Sequence, residues 1–182
     1  MSRVLVPLAQ GCEELEAVTI MDLLVRAGVE VVRAGLTEGE IVASRGTRLL
    51  PDTTLDQVSG ETFDMIVLPG GLPGADQLRD DATLRNMLLR HAAEGRYLAA
   101  ICAAPKVLAN AGLLRARRAT AYPGALDALK DADIEMSDAA IEIDGNIITS
   151  RGPGTAMDFS LELISLLEGD EVRQRVSDSL VR

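Results

Sequence analysis

Ala99-Ala100-Ile101-Cys102-Ala103-Ala104-Pro105 is the stretch whose reading decides the fold. An apolar strand from Tyr97 to Ile101 runs into Cys102, and the spacing predicts a helix from Ala103 to Ala111. Pro105 suits a first helical turn, where its missing N–H costs nothing. Ala100 and Ala104 stand two residues either side of the cysteine, and a tight strand-to-helix elbow needs small residues there. Such an elbow lifts one side chain above a sheet. It also aims helix N–H groups and the positive dipole end at the sulfur, which favours thiolate over thiol. The alternative is a buried, inert cysteine acting as a small hydrophobe.

Outward from this elbow, strand-like and helix-like apolar runs alternate. Arg3 to Leu8 reads as a buried strand. Ala17, Ile20, Met21 and Leu24 recur at i, i+3, i+4 and i+7, one face of a helix that Gly28 ends. Val29 to Ala34 and Asp64 to Leu68 read as further strands, and Glu40 to Leu50 as a hairpin about Arg45-Gly46. Helical segments fit around Ala75–Gln77, from Ala82 to Glu94, from Ala156 to Leu167 and from Glu171; short strands fit near Ala119, Ala140–Ile143 and Ile147–Thr149. This β-α alternation implies a mostly parallel sheet with helices on both faces. No repeat or linker divides the chain, so residues 1–182 are expected to form one domain. In such a sheet, sites lie beyond the carboxyl ends of the strands. That rule selects Gln10 to Glu16, Pro69 to Gly74, Cys102 to Pro105 and Ser150 to Thr155.

Composition narrows the chemistry. Twenty-eight acids against 18 bases leave a net charge of −10, which repels phosphate backbones and anionic membranes. Aromatics make up 2%, leaving little to stack on nucleic-acid bases. No apolar run approaches a membrane span, and Met1-Ser2-Arg3 leads into a strand rather than a signal peptide. Two distant cysteines make a poor disulfide framework, so free thiols in a reducing, cytoplasmic setting are expected.

Other candidate residues have ordinary readings beside functional ones. Gly70-Gly71 could bring backbone N–H groups to a reacting oxygen, or form a plain turn. Glu13 and Glu14 suit a first helical turn as dipole complements. Glu16 begins the apolar stripe and could turn toward the sheet top, although the same dipole role would account for it. His91, the one histidine, reads as a solvated residue late in its helix; no histidine-rich metal site is expected. Cys12 could resolve an oxidised Cys102, or simply pack.

Together, Gly11-Cys12-Glu13-Glu14-Leu15-Glu16, Leu68-Pro69-Gly70-Gly71, Ala99-Ala100-Ile101-Cys102-Ala103 and Thr149-Ser150-Arg151-Gly152-Pro153-Gly154-Thr155 resemble the DJ-1 branch of the ThiJ/PfpI superfamily. The similarity runs from about Arg3 to about Val172. The resemblance implies a flavodoxin-like α/β three-layer sandwich that forms a homodimer. It implies an oxidation-sensitive cysteine at Cys102 and a mostly protonated glutamate at Glu16 hydrogen-bonded to the sulfur. It implies backbone donors at Gly71 and Ala103, and a charged cluster of Glu13, Arg26 and Arg45 near the dimer contact. One position departs from the pattern: where relatives often carry a histidine, Thr120-Ala121-Tyr122-Pro123 has Tyr122. A phenol is a poor base at neutral pH but can donate a hydrogen bond to a substrate oxygen.

The resemblance suggests a cofactor-free, metal-free glyoxalase or deglycase acting on methylglyoxal or its adducts, protein adducts included. Cys102 would attack the carbonyl, Glu16 would shuttle protons, Gly71 and Ala103 would hold the oxyanion and Tyr122 would orient the substrate. A second reading is a redox sensor or oxidative-stress chaperone that oxidises Cys102 with little turnover. A third, a cysteine peptidase or amidase, lacks the histidine its dyad would use.

Overall fold

The computed structural model describes residues 1–129 and 133–182. Its elements in chain order are β1 (Arg3–Leu8), α1 (Glu14–Arg26), β2 (Glu30–Gly35), β3 (Ile41–Val42), β4 (Arg48–Leu49), β5 (Thr53–Thr54), α2 (Leu55–Val58), β6 (Met65–Leu68), α3 (Gly74–Asp80), α4 (Ala82–Ala93), β7 (Tyr97–Ile101), α5 (Pro105–Asn110), β8 (Arg117–Ala119), β9 (Ile134–Met136), β10 (Ile141–Asp144), β11 (Ile147–Ser150), α6 (Ala156–Glu168) and α7 (Asp170–Ser179). Seven strands form one sheet in the order β10-β11-β7-β6-β1-β2-β5. Only β10, at one edge, runs antiparallel within it. The fold is a three-layer α/β sandwich.

Strand side chains alternate between the two faces, as the period of a pleated sheet requires. Val4, Val6, Met65, Val67, Ala99 and Ile101 pack toward Ile20 and Leu24 of α1 and Phe159 of α6. Leu5, Ile66, Leu68, Leu98 and Ala100 face the other way, onto Leu78, Leu84, Leu88 and Leu108 of α3, α4 and α5. Both faces are covered, which is why β6 and β7 read as continuous apolar runs.

The order β6-β1-β2 contains the topological switch. From β1 the chain passes to β2 on one side, and β6 then returns on the other. The loops leaving β1 and β6 therefore diverge, and a crevice opens between their carboxyl ends.

Two expectations are corrected. Ala103 and Ala104 lie in a turn, and α5 begins at Pro105, because the chain must first reverse through the elbow. His91 is not solvated: it is fully buried, its Nε2 accepts the Phe63 N–H at 3.1 Å, and its Nδ1 lies 2.8 Å from the Met87 carbonyl. Its ring also stacks on Phe63. The small strands β5 and β9 and helix α2 are additions that no periodic run announces. No helix among the described residues is long and apolar enough to cross a membrane.

Burial holds His91 below its ordinary value of 6.5. The folded chain favours the neutral ring, so its contribution to stability is intact above about pH 6.5 and declines as pH falls below that value. In thermal melts from pH 7.5 to 5, His91→Gln should start lower than the wild type, having lost the ring packing, but decline less steeply. A parallel decline would show that the buried ring does not titrate with unfolding.

Candidate active site

Three strand-end loops build the site. Cys102 sits at φ +63°, in the left-handed region, directly after β7. Two backbone bonds hold it there: its N–H donates to the Ser150 carbonyl at 2.9 Å, and its carbonyl accepts the Tyr122 N–H at 2.9 Å. A non-glycine residue in this region carries strain that such bonds must offset. Cys102 is buried, with 8% of the residue exposed.

Glu16 occupies the stripe position of α1 that continues through Ile20, Leu23 and Leu24, and it is fully buried. Its Oε2 accepts the Gly70 N–H at 2.8 Å. Its Oε1 has no well-formed hydrogen bond, and the Cys102 thiol is the group within reach. Burial raises the Glu16 carboxyl to about 7, against the pull of the Gly70 N–H and the thiol. At neutral pH its protonated and ionised forms are about equally populated.

Burial and a neighbouring carboxyl oppose the thiolate that the helix dipole favours. Burial, then the Glu16 charge, pushes the Cys102 thiol up to about 12. The N–H groups of Ala103 and Gly71 oppose this rise. Cys102 and Glu16 form one unit: a proton on the carboxyl removes the repulsion and supplies a donor to sulfur. Cys12 is also buried, and burial followed by the Glu14 charge raises it to about 11.

Glycine is required where the loops meet. A Cβ on Gly70 would stand 2.8 Å from both Cys102 Cβ and Glu16 Oε2. Gly71, at φ +90°, has the Glu13 nitrogen where its Cβ would go, at 2.3 Å. The Glu13 N–H donates to the Gly70 carbonyl at 2.9 Å and locks the first two loops together.

The remaining candidates divide. The Glu13 side chain accepts the Ser44 hydroxyl at 2.9 Å. Arg45 is tied in through its backbone, its N–H donating to Glu14 at 3.0 Å. Glu14 does more than complement a dipole. It gathers Ser44, Arg45 and Thr47 and clamps the β3–β4 hairpin over the site. Desolvation opposes its ionisation, but its own backbone N–H and then the Arg45, Ser44 and Thr47 donors together hold it down at about 2. Arg26 is not brought to Glu13 and Arg45 within one chain. It pairs with Asp22 at the far end of α1, about 18 Å along the helix. The Tyr122 ring rests on Gly152 and lines a neighbouring cavity rather than the sulfur. In sequence, Gly70 reads with Gly71 only as a donor loop or a plain turn, and Ser150 only as the start of a strand-end segment; the sequence does not show that the Gly70 N–H bonds Glu16 or that the Ser150 carbonyl bonds Cys102. Among the described residues, no group of acidic, cysteine or histidine side chains is arranged to hold a metal ion.

Residues 2–166 match the model of the DJ-1/PfpI family. The chain belongs to the DJ-1/PfpI family. It is 43% identical to Protein dj-1beta of Drosophila melanogaster, over 97% of this chain and 95% of that protein. It is 35% identical to a Caenorhabditis elegans protein named glutathione-independent glyoxalase DJR-1.2, over 89% and 86% of the two chains. The solved structure of oxidised Toxoplasma gondii DJ-1 superposes with a TM-score of 0.94 at 40% identity, covering 100% of this chain and 98% of that one. This DJ-1/PfpI chain thus shares the three-layer fold of its structural neighbours.

Gly70→Ala should disable the site. Overpacking of this kind costs about 1–3 kcal/mol, and the contacts here are on the two chemical groups themselves. Denaturant melts should show that loss, and thiol titration should show altered Cys102 reactivity. Gly60→Ala, where nothing lies within 4 Å, is the control. Equal behaviour of the two variants would contradict the close-packed geometry.

Because its carboxyl is raised, Glu16 favours the fold when protonated. That contribution is complete below about pH 4.5 and is lost as pH rises through about 7. Glu16→Gln, which stays neutral, should therefore melt higher than the wild type at pH 8 and lose that advantage by pH 5. A constant difference across this range would rule out the raised carboxyl.

Proposed function

We propose that the chain is a cysteine-dependent glyoxalase or deglycase that needs no cofactor and acts on small reactive carbonyls such as methylglyoxal. The observation that carries this reading is the buried pair of Cys102 and Glu16, brought together at Gly70, whose N–H donates to Glu16 Oε2 at 2.8 Å. A carboxyl near 7 is matched to moving protons at neutral pH. The named activity of the C. elegans relative supports the same class.

The reaction proceeds by general base assistance, since the thiol is not ionised in advance. Ionised Glu16 takes the S–H proton as sulfur bonds to the aldehyde carbon. The carbonyl electrons move to oxygen, where the Gly71 and Ala103 N–H groups stabilise the charge. Protonation of that oxygen by Glu16 gives a hemithioacetal. Glu16 then removes the C1 proton, and a proton returned to C2 gives the lactoyl thioester. Water cleaves the C–S bond, releasing lactate and restoring the thiol. Tyr122, in the wall of the neighbouring cavity, orients the larger part of a substrate.

The working unit is a homodimer. Leu15, Val18 and Val25 lie on one side of α1 and are 51%, 43% and 58% exposed. Two-fold packing of this helix on its copy runs the pair antiparallel. Arg26 of one chain then approaches the Glu13 and Arg45 end of the other, which assembles the cluster one chain leaves apart.

Cys102→Ser should abolish methylglyoxal consumption, because a hydroxyl resists ionisation far more than a thiol. In the wild type, kcat/KM should rise with pH through about 7 as Glu16 ionises, and Glu16→Gln should lose most turnover. Peroxide oxidation of Cys102 without any carbonyl turnover would favour the redox-sensor reading. Light scattering should give twice the chain mass at micromolar concentration, and Val18→Glu should reduce it to one.

A further inference from the structure

Beside the elbow lies a cavity of about 390 Å³. That volume suits a ligand well beyond three carbons. Tyr122, Leu126 and Met136 supply apolar wall, and Arg151 supplies a guanidinium. Both Tyr122 and Arg151 are fixed to the nucleophile's own backbone. The Tyr122 N–H donates to the Cys102 carbonyl, and Arg151 follows Ser150, whose carbonyl takes the Cys102 N–H. The cavity is therefore registered to the sulfur through two peptide groups.

Arg151 is only loosely engaged. Its Nη1 donates to Asp138 at 2.8 Å, while its Nε and Nη2 have no partner among the described residues. The Asp138 side chain is 94% exposed, so this pair is weak and its acid exchangeable. A guanidinium with an open edge fits a carboxylate in two parallel hydrogen bonds. Asp127 and Asp138 stand exposed around the same cavity and repel ligands carrying more than one negative charge.

We propose that this cavity is a subsite for a single carboxylate on an apolar body, held by Arg151 against the Tyr122 wall. The inference deepens the glyoxalase reading and rests on it for its catalytic meaning. It assigns a substrate class: carbonyl compounds that carry one carboxylate, with the reacting carbon at Cys102 and the acid at Arg151.

The test separates binding from turnover. Binding of unreactive 3-phenylpropionate to Cys102→Ser is measured by calorimetry and by NMR shifts, with 3-phenylpropanol and inorganic phosphate as comparison probes. The carboxylate should bind, and the alcohol and phosphate should bind far more weakly. Adding Arg151→Met should weaken the carboxylate about tenfold or more, as loss of charge-assisted bonds requires. Adding Asp138→Asn should tighten it about two- to fivefold by removing the competing acid. That second change has the opposite sign, so a damaged fold does not imitate it. In wild-type turnover, 4-carboxyphenylglyoxal should have a lower KM than phenylglyoxal, and Arg151→Met should erase the difference.

Equal binding of acid and alcohol, or no response to Arg151→Met, overturns the subsite even where methylglyoxal is consumed. Arginine-dependent binding by a protein that turns over no carbonyl leaves the subsite standing and removes the glyoxalase reading instead.

Discussion

Gly70 lies between the two groups that matter. Its N–H donates to Glu16 Oε2, and the space a side chain would fill is already taken by that oxygen and by Cys102 Cβ, each 2.8 Å from where a Cβ would stand. The carboxyl is thereby fixed on one oxygen and left open on the other, toward the thiol. Burial without full pairing is costly, and the cost appears as a carboxyl at about 7 instead of the usual range. The rest of the site follows from holding these three residues together. The Glu13 N–H bonds the β1 loop to the β6 loop, and the Ser150 carbonyl bonds the β11 end to Cys102.

Electrostatics at the sulfur depend on depth more than on the helix behind it. The elbow delays α5 until Pro105, so only the Ala103 N–H and the Gly71 N–H of another loop oppose desolvation. They do not outweigh burial and the Glu16 charge. The thiol is held high beside a carboxyl with an open oxygen, rather than low by the helix behind it. That distinction separates this pair from exposed, low-pKa cysteines at helix N-termini.

The layers were legible because their signals are either continuously apolar between breakers or periodic over several turns. Met65–Leu68 and Tyr97–Ile101 are short apolar runs closed by Gly or Cys, and α1 shows its stripe over three turns. β5, β9 and α2 were not legible: two to four residues carry no period, and long-range pairing places them. At the site, Cys102 was readable from its small neighbours. Glu16 was ambiguous, since a glutamate in a first turn has an ordinary role and its burial is decided by α1 docking. His91 misled because polar neighbours in sequence, Arg90 and Glu94, say nothing of the Phe63 ring that covers it. The resemblance to known relatives, rather than residue patterns, singled out Gly71, and Arg26 pairs with Asp22 far along α1 from Glu13.

The site draws on residues 13–16, 70–71, 102–103 and 150, which are neighbours only once four parallel strands have closed. Contacts of such long sequence separation are slow to form. Until then Cys102 is solvated, and its thiol has the chemistry of any unstructured cysteine. Its weakened acidity therefore belongs to the finished sheet and not to the residue. A newly made or heat-damaged chain carries an ordinary thiol open to ordinary adducts, while the mature one hides it. The same sulfur thus marks the maturity of the molecule that holds it.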